Sequence, residues 1–85
     1  MQDIDINLLR TFKTLAETKS FTETAERIHR TQSAVSMQIS KIEELLGCTL
    51  LKRSRRKVEL THEGEKLLTF ANEIIRISDK LLTYF

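Results

Sequence analysis

Along most of this chain, apolar residues return at the spacing of a helix. Leu8, Leu9, Phe12, Leu15 and Ala16 share one face of a first helix that Asp5 is placed to N-cap, and Glu17 to Lys19 break the pattern. Ser20, with Glu23 three residues on, has the form of a capping box opening a second helix. Its buried face is expected at Ala25 and Ile28 with Thr24 alongside, Ala25 being small enough to admit a neighbouring helix. His29 and Arg30 make a turn, and Thr31 caps a third helix over about 32–46. There Val35, Ile39, Ile42 and Leu46 fall on one face, and Gly47 is a natural left-handed stop.

Beyond Gly47 the helical period disappears. Leu50 to Arg53 and Lys57 to Leu60 read as two short strands around a turn at Ser54 to Arg56, with Val58 and Leu60 inward and Lys57 and Glu59 outward. Thr61 then caps a last helix running to about Phe85, with Glu63 near its positive end. That helix is on the order of 36 Å long at about 1.5 Å per residue. Leu67, Ala71, Ile74, Leu81 and Phe85 follow a heptad-like seam in which Ser78 takes one polar place. Leu68, Ile75 and Leu82 form a second row; Phe70, Ile77 and Tyr84 form a third. So wide a stripe exceeds what the preceding residues can cover, so part of it is expected to meet another chain. The predicted dimer face is Leu67, Ala71, Ile74, Ile75, Ser78, Leu81 and Leu82.

Composition narrows the class. Apolar residues at 40% and charged residues at 31% describe a soluble globular chain of one small domain plus an extra helix. No apolar run approaches the roughly 18 residues of a membrane span, and Met1 to Asp5 is not a signal peptide. The lone Cys48 cannot form an internal disulfide, which suits a reducing cytoplasm, and a cytoplasmic location is expected. The net charge of +2 decides little, but five of the six residues from Lys52 to Lys57 are basic.

That cluster changes the reading of the third helix. Opposite its core face lie Ser33, Met37 and Ser40, flanked by Ser36 and Lys41, short or flexible side chains without negative charge. A backbone so clothed can approach base edges closely. Gln32 carries an amide that both donates and accepts, as adenine recognition in the major groove requires. The free N–H groups beside Thr31 suit a phosphate oxygen. Glu43 and Glu44 would be repelled by phosphates, so only the N-terminal half is expected to enter a groove. The basic run, with Arg53, Arg55 and Arg56, would hold phosphates or the minor groove beside it.

Other readings exist for these features. The serines are also what an ordinary solvated face contains, and the basic run is also what a solvated hairpin tip contains. A helical dimerisation or protein-interaction module whose basic hairpin meets an acidic partner is the principal alternative. Docking on an anionic membrane fits less well, because Glu65, Glu73 and Asp79 lie on the polar side of the last helix. No catalytic residues, metal site or cofactor are expected, since His29, His62 and Cys48 have no ligand or triad spacing.

Taken together, Leu9, Phe12, Ser20-Phe21-Thr22, Ala25-Glu26-Arg27, Thr31 to Ser36 with Gln38-Ile39, Leu45 to Gly47, Leu50, Arg53, and Val58 to Gly64 resemble the N-terminal domain of LysR-type bacterial transcriptional regulators. The resemblance covers essentially the whole chain. It implies a mainly α winged helix-turn-helix, three helices plus a two-stranded wing over 1–61, followed by a linker helix over 62–85 that pairs with its copy in a second subunit. The implied function is sequence-specific binding of double-stranded DNA by a dimer reading an interrupted palindrome. Carried over by position, base and backbone contacts fall on Gln32, Ser33, Ser36, Met37 and Arg53. Ser33 stands where the family usually has proline and Met37 where arginine is common, so one expected guanine or phosphate contact is missing. Leu51 replaces a usual phenylalanine, and Arg55 a frequent wing glycine. Full-length members carry a C-terminal domain that binds a small-molecule effector and drives higher oligomers. Nothing here corresponds to it, so the chain is expected to be an excised DNA-binding fragment or a truncated product.

Overall fold

The computed structural model describes residues 3–52 and 58–85. Its elements are α1 (Ile6–Thr18), α2 (Phe21–Ile28), α3 (Gln32–Leu46), β1 (Leu51–Lys52), β2 (Glu59–Leu60) and α4 (His62–Tyr84). Each helix begins where a short polar side chain can replace a missing carbonyl partner. Asp5 accepts from the Asn7 amide at 2.8 Å, Thr31 from Ala34 at 3.0 Å and Thr61 from Gly64 at 3.0 Å.

Ser20 likewise accepts from the Glu23 amide at 3.1 Å, but the capping box is not completed by Glu23. The Ser20 amide instead donates to Thr18 Oγ1 at 3.1 Å. That hydroxyl also lies 2.7 Å from the hydroxyl of buried Thr24, tying the α1–α2 corner together. The first three helices end in left-handed residues, Lys19, His29 and Gly47. His29 is an exposed cap whose side chain faces solvent.

The main core gathers Phe12 and Leu15 of α1, Ala25 of α2, Val35, Ile39 and Ile42 of α3, and Leu50, with Leu51, Val58, Leu60, Leu67 and Leu68 packed around it. The anticipated face of α3 stops at Ile42. Leu46 is 46% exposed, because the core closes one turn before the helix does. The antiparallel pair sets Leu51 opposite Leu60 and Lys52 opposite Glu59, so the alternation turns leucines toward the core and charges to solvent. The expected turn at Ser54 to Arg56, and Arg53 and Lys57 beside it, lie outside the described residues.

Helix α4 is more deeply tied to the domain than its heptad seam implies. Ala71 is 0% and Ile75 4% exposed, both packed with Leu9 of α1, and Leu67 joins them. The Arg10 guanidinium reaches Asp79 Oδ1 at 2.8 Å farther along the same helix pair. Ala71 and Ile75 are therefore corrections to the predicted dimer face: α1 covers them, and the small Ala71 lets α1 come close. What α4 leaves uncovered is a different seam. Phe70, Ile74, Ile77, Leu81 and Tyr84 are all exposed, at alternating spacings of four and three that define one stripe of a helix. Leu82 is exposed beside it, whereas Ser78 is half-buried.

Candidate nucleic-acid interface

The candidate surface is assembled from the turn between α2 and α3 and the first half of α3. On one side of α3, Val35, Ile39 and Ile42 anchor the helix in the core; on the other, Thr31, Gln32, Ser33, Ser36, Met37, Ser40 and Lys41 are all exposed. Thus every predicted reading residue on this helix shares one open surface. Met37 at 74% exposure is an apolar group held in solvent at its centre. Because Thr31 caps Ala34, and Val35 donates to the Thr31 carbonyl, the amides of Gln32 and Ser33 come before the first helical acceptor. They project from the positive end of the helix dipole.

Two contacts orient this surface in ways the sequence pattern had not revealed. Gln32 Nε2 donates to Thr22 Oγ1 at 2.8 Å, joining the first turn of α3 to that of α2. Phe21, Gln32, Ser33 and Ser36 line a shallow depression beside this bond. On the inner flank, Gln38 accepts a hydrogen bond from the buried Thr11 hydroxyl of α1. This bond supplements the packing that sets the roll of α3 about its own axis. No local signal marks either pair, since the partners lie ten and twenty-seven residues apart.

The acidic end of α3 also differs from its sequence reading. Glu44 is exposed, but half-buried Glu43 accepts the Leu50 amide at 2.7 Å. That carboxylate turns the chain from α3 toward β1, so its first task is structural. Lys52 is exposed on β1, while Arg53, Arg55 and Arg56 lie outside the described residues. Among the described residues there is no group of three or more His, Cys, Asp or Glu side chains placed to hold a metal ion.

Comparison with known proteins meets the same elements. Residues 6–65 match the family model described as bacterial regulatory helix-turn-helix protein, lysR family. The chain is 40% identical over 81 residues to the HTH-type transcriptional regulator DgdR of Burkholderia cepacia, covering 95% of this chain and 28% of that protein. It is 38% identical over 78 residues to the HTH-type transcriptional regulator PecT of Dickeya dadantii, covering 92% of this chain and 25% of that one. The chain thus spans about a quarter of the length of these curated relatives.

Among solved structures, the fold is similar to the BenM DBD in its complex with catB site 1 DNA. The TM-score is 0.91 at 32% identity, covering 95% of this chain and 91% of that one. It is similar too to the CbnR DBD in a DNA complex, with a TM-score of 0.89 at 30% identity, covering 95% of this chain and 93% of that one.

Proposed function

The chain belongs to the lysR family of bacterial regulatory helix-turn-helix proteins, and from that premise we propose that it binds double-stranded DNA as the sequence-reading part of a transcriptional regulator. The observation that carries this reading is the open, uncharged N-terminal half of α3, anchored from behind by Val35, Ile39 and Ile42. In this proposal Gln32, Ser33, Ser36, Met37 and Ser40 enter the major groove, where the amide and hydroxyls meet base edges and the Met37 thioether meets a thymine methyl. The Gln32 and Ser33 amides, Thr31 and Lys41 meet the sugar–phosphate backbone. Arg53, Arg55 and Arg56 add phosphate or minor-groove contacts from the wing. The bacterial chromosome puts this activity in the cytoplasm.

The reading includes a homodimer. Its proposed seam is Phe70, Ile74, Ile77, Leu81 and Tyr84, with Leu82 at the margin, because these are the apolar residues α1 leaves in solvent. Two copies of α3 related by a twofold axis would read half-sites one or two helical turns apart, and hence an interrupted palindrome.

Binding of labelled duplexes by gel shift, after selection of a preferred sequence in vitro, tests the proposal. Gln32→Ala and Ser36→Ala are expected to change which sequence is preferred, with a loss of about 1–3 kcal/mol on the cognate site for a lost base contact. Arg53→Ala is expected to weaken cognate and random duplexes alike. Equal losses on both kinds of duplex from all three substitutions count against base reading by α3.

A further inference from the structure

The bond between Gln32 and Thr22 has a consequence for recognition. A glutamine amide ends in a broad, roughly twofold torsion, so an unrestrained side chain can offer either its carbonyl oxygen or its NH2 group to a given point. Here one amide hydrogen is already given to Thr22 Oγ1 at 2.8 Å. What remains is one N–H and the whole of Oε1, a donor and an acceptor side by side. That is the complement of an adenine edge, which accepts at N7 and donates at N6. It is a poor complement of guanine, which presents two acceptors there. Thr22 and Gln32 are both exposed, so their bond survives competition from water only through geometry, each side chain standing on the first turn of a capped helix.

We propose that Thr22 is a specificity-determining positioning residue: its hydroxyl holds the Gln32 amide in the orientation that prefers adenine over guanine. The inference rests on the base-reading role proposed for Gln32. Because the Thr22 oxygen acts as the acceptor in this bond, its own hydrogen is left to donate outward, toward a phosphate oxygen at the positive end of α2. The base reader and a backbone contact are then linked through one hydroxyl.

The test uses the 85-residue chain and a duplex series bearing each of the four base pairs at the position whose preference Gln32→Ala abolishes. Thr22→Val keeps the side-chain shape and removes the hydroxyl; Thr22→Ser keeps the hydroxyl. Thr22→Val is expected to shrink the adenine-over-guanine preference about fivefold, the effect of one neutral hydrogen bond. Thr22→Ser should retain the preference, and Gln32→Ala combined with Thr22→Val should discriminate no worse than Gln32→Ala alone. Thermal unfolding of both single variants is expected to match the parent, as for exposed sites generally. The proposal is overturned by a Thr22→Val variant that keeps its preference, or that binds all four duplexes more weakly by one common factor. Equal losses from Thr22→Val and Thr22→Ser also overturn it. If Gln32→Ala itself leaves the preference intact, the base-reading role fails first and the Thr22 assignment goes with it.

Discussion

At the scale of single residues, two backbone contacts hold the segment between α3 and α4. A Cβ built on Gly64 would lie 2.3 Å from the Leu50 carbonyl oxygen and 3.1 Å from Leu60 Cβ. That carbonyl cannot easily turn aside, because it accepts the Thr61 amide at 3.0 Å. Alanine would add about 1 kcal/mol of helix propensity but about 1–3 kcal/mol of overpacking. With the Cβ only 2.3 Å from a backbone oxygen, the upper end of that overpacking applies, and Gly64→Ala is expected to lower stability by up to about 2 kcal/mol, read as a reduced urea midpoint at unchanged slope. Glu43 supplies the second contact, through the Leu50 amide. Glu43→Ala leaves that amide unpaired and should cost about 1–3 kcal/mol, whereas Glu43→Gln keeps an acceptor oxygen and most of the stability. A thermal melt in which both variants behave alike would contradict this assignment. The acidity of Glu43 was legible in the sequence, but its partner was not, because Leu50 lies beyond the helix stop at Gly47, where spacing along α3 no longer says which groups meet.

At the scale of elements, α4 gives part of its apolar surface to α1 and leaves the rest in solvent. The heptad-like spacing made a wide stripe evident from the sequence and made a second chain the natural expectation. Spacing alone could not tell which row α1 would claim. Ala71 of the first row and Ile75 of the second went to α1 through Leu9, and Phe70, Ile74, Ile77, Leu81 and Tyr84 were left outside. Charged substitutions should therefore separate by row. Leu81→Glu is expected to give monomers in sedimentation with helicity and melting cooperativity intact. Ile75→Glu is expected to destabilise the chain itself by several kcal/mol, because it buries a carboxylate among apolar groups. Dimers persisting in Leu81→Glu, with Ile75→Glu folding normally, would show that the rows had been exchanged.

At the scale of the whole molecule, charge distribution matters more than net charge. The chain carries only +2 overall, yet five of six residues from 52 to 57 are basic, a run that begins at the exposed Lys52 of β1. A surface of this kind releases condensed counterions when it meets DNA. The logarithm of affinity is expected to fall linearly with the logarithm of salt, by about 0.9 per phosphate neutralised. Arg53→Ala should flatten that slope by about this amount for each contact removed, and Gln32→Ala should leave it nearly unchanged. Fluorescence anisotropy over a salt series measures both, and a slope insensitive to Arg53 would remove that residue from the phosphate contacts. Small chains have little net stability to spare, so each variant needs its melt recorded beside its affinity.

What the linear sequence determined was whatever repeats over a few residues. The four helices, their caps at Asp5, Ser20, Thr31 and Thr61, the stop at Gly47, and the open face of α3 all follow from local spacing and short-range hydrogen bonding. Tertiary structure decided which atoms meet across long intervals of chain. It joined Thr22 to Gln32, Thr11 to Gln38 and Arg10 to Asp79, released Leu46 to solvent, and gave Ala71 and Ile75 to α1. The physical reason is that periodicity fixes the direction of a side chain about its own helix axis, while the identity of its neighbour depends on how separate helices cross, and that is a property of the packed core.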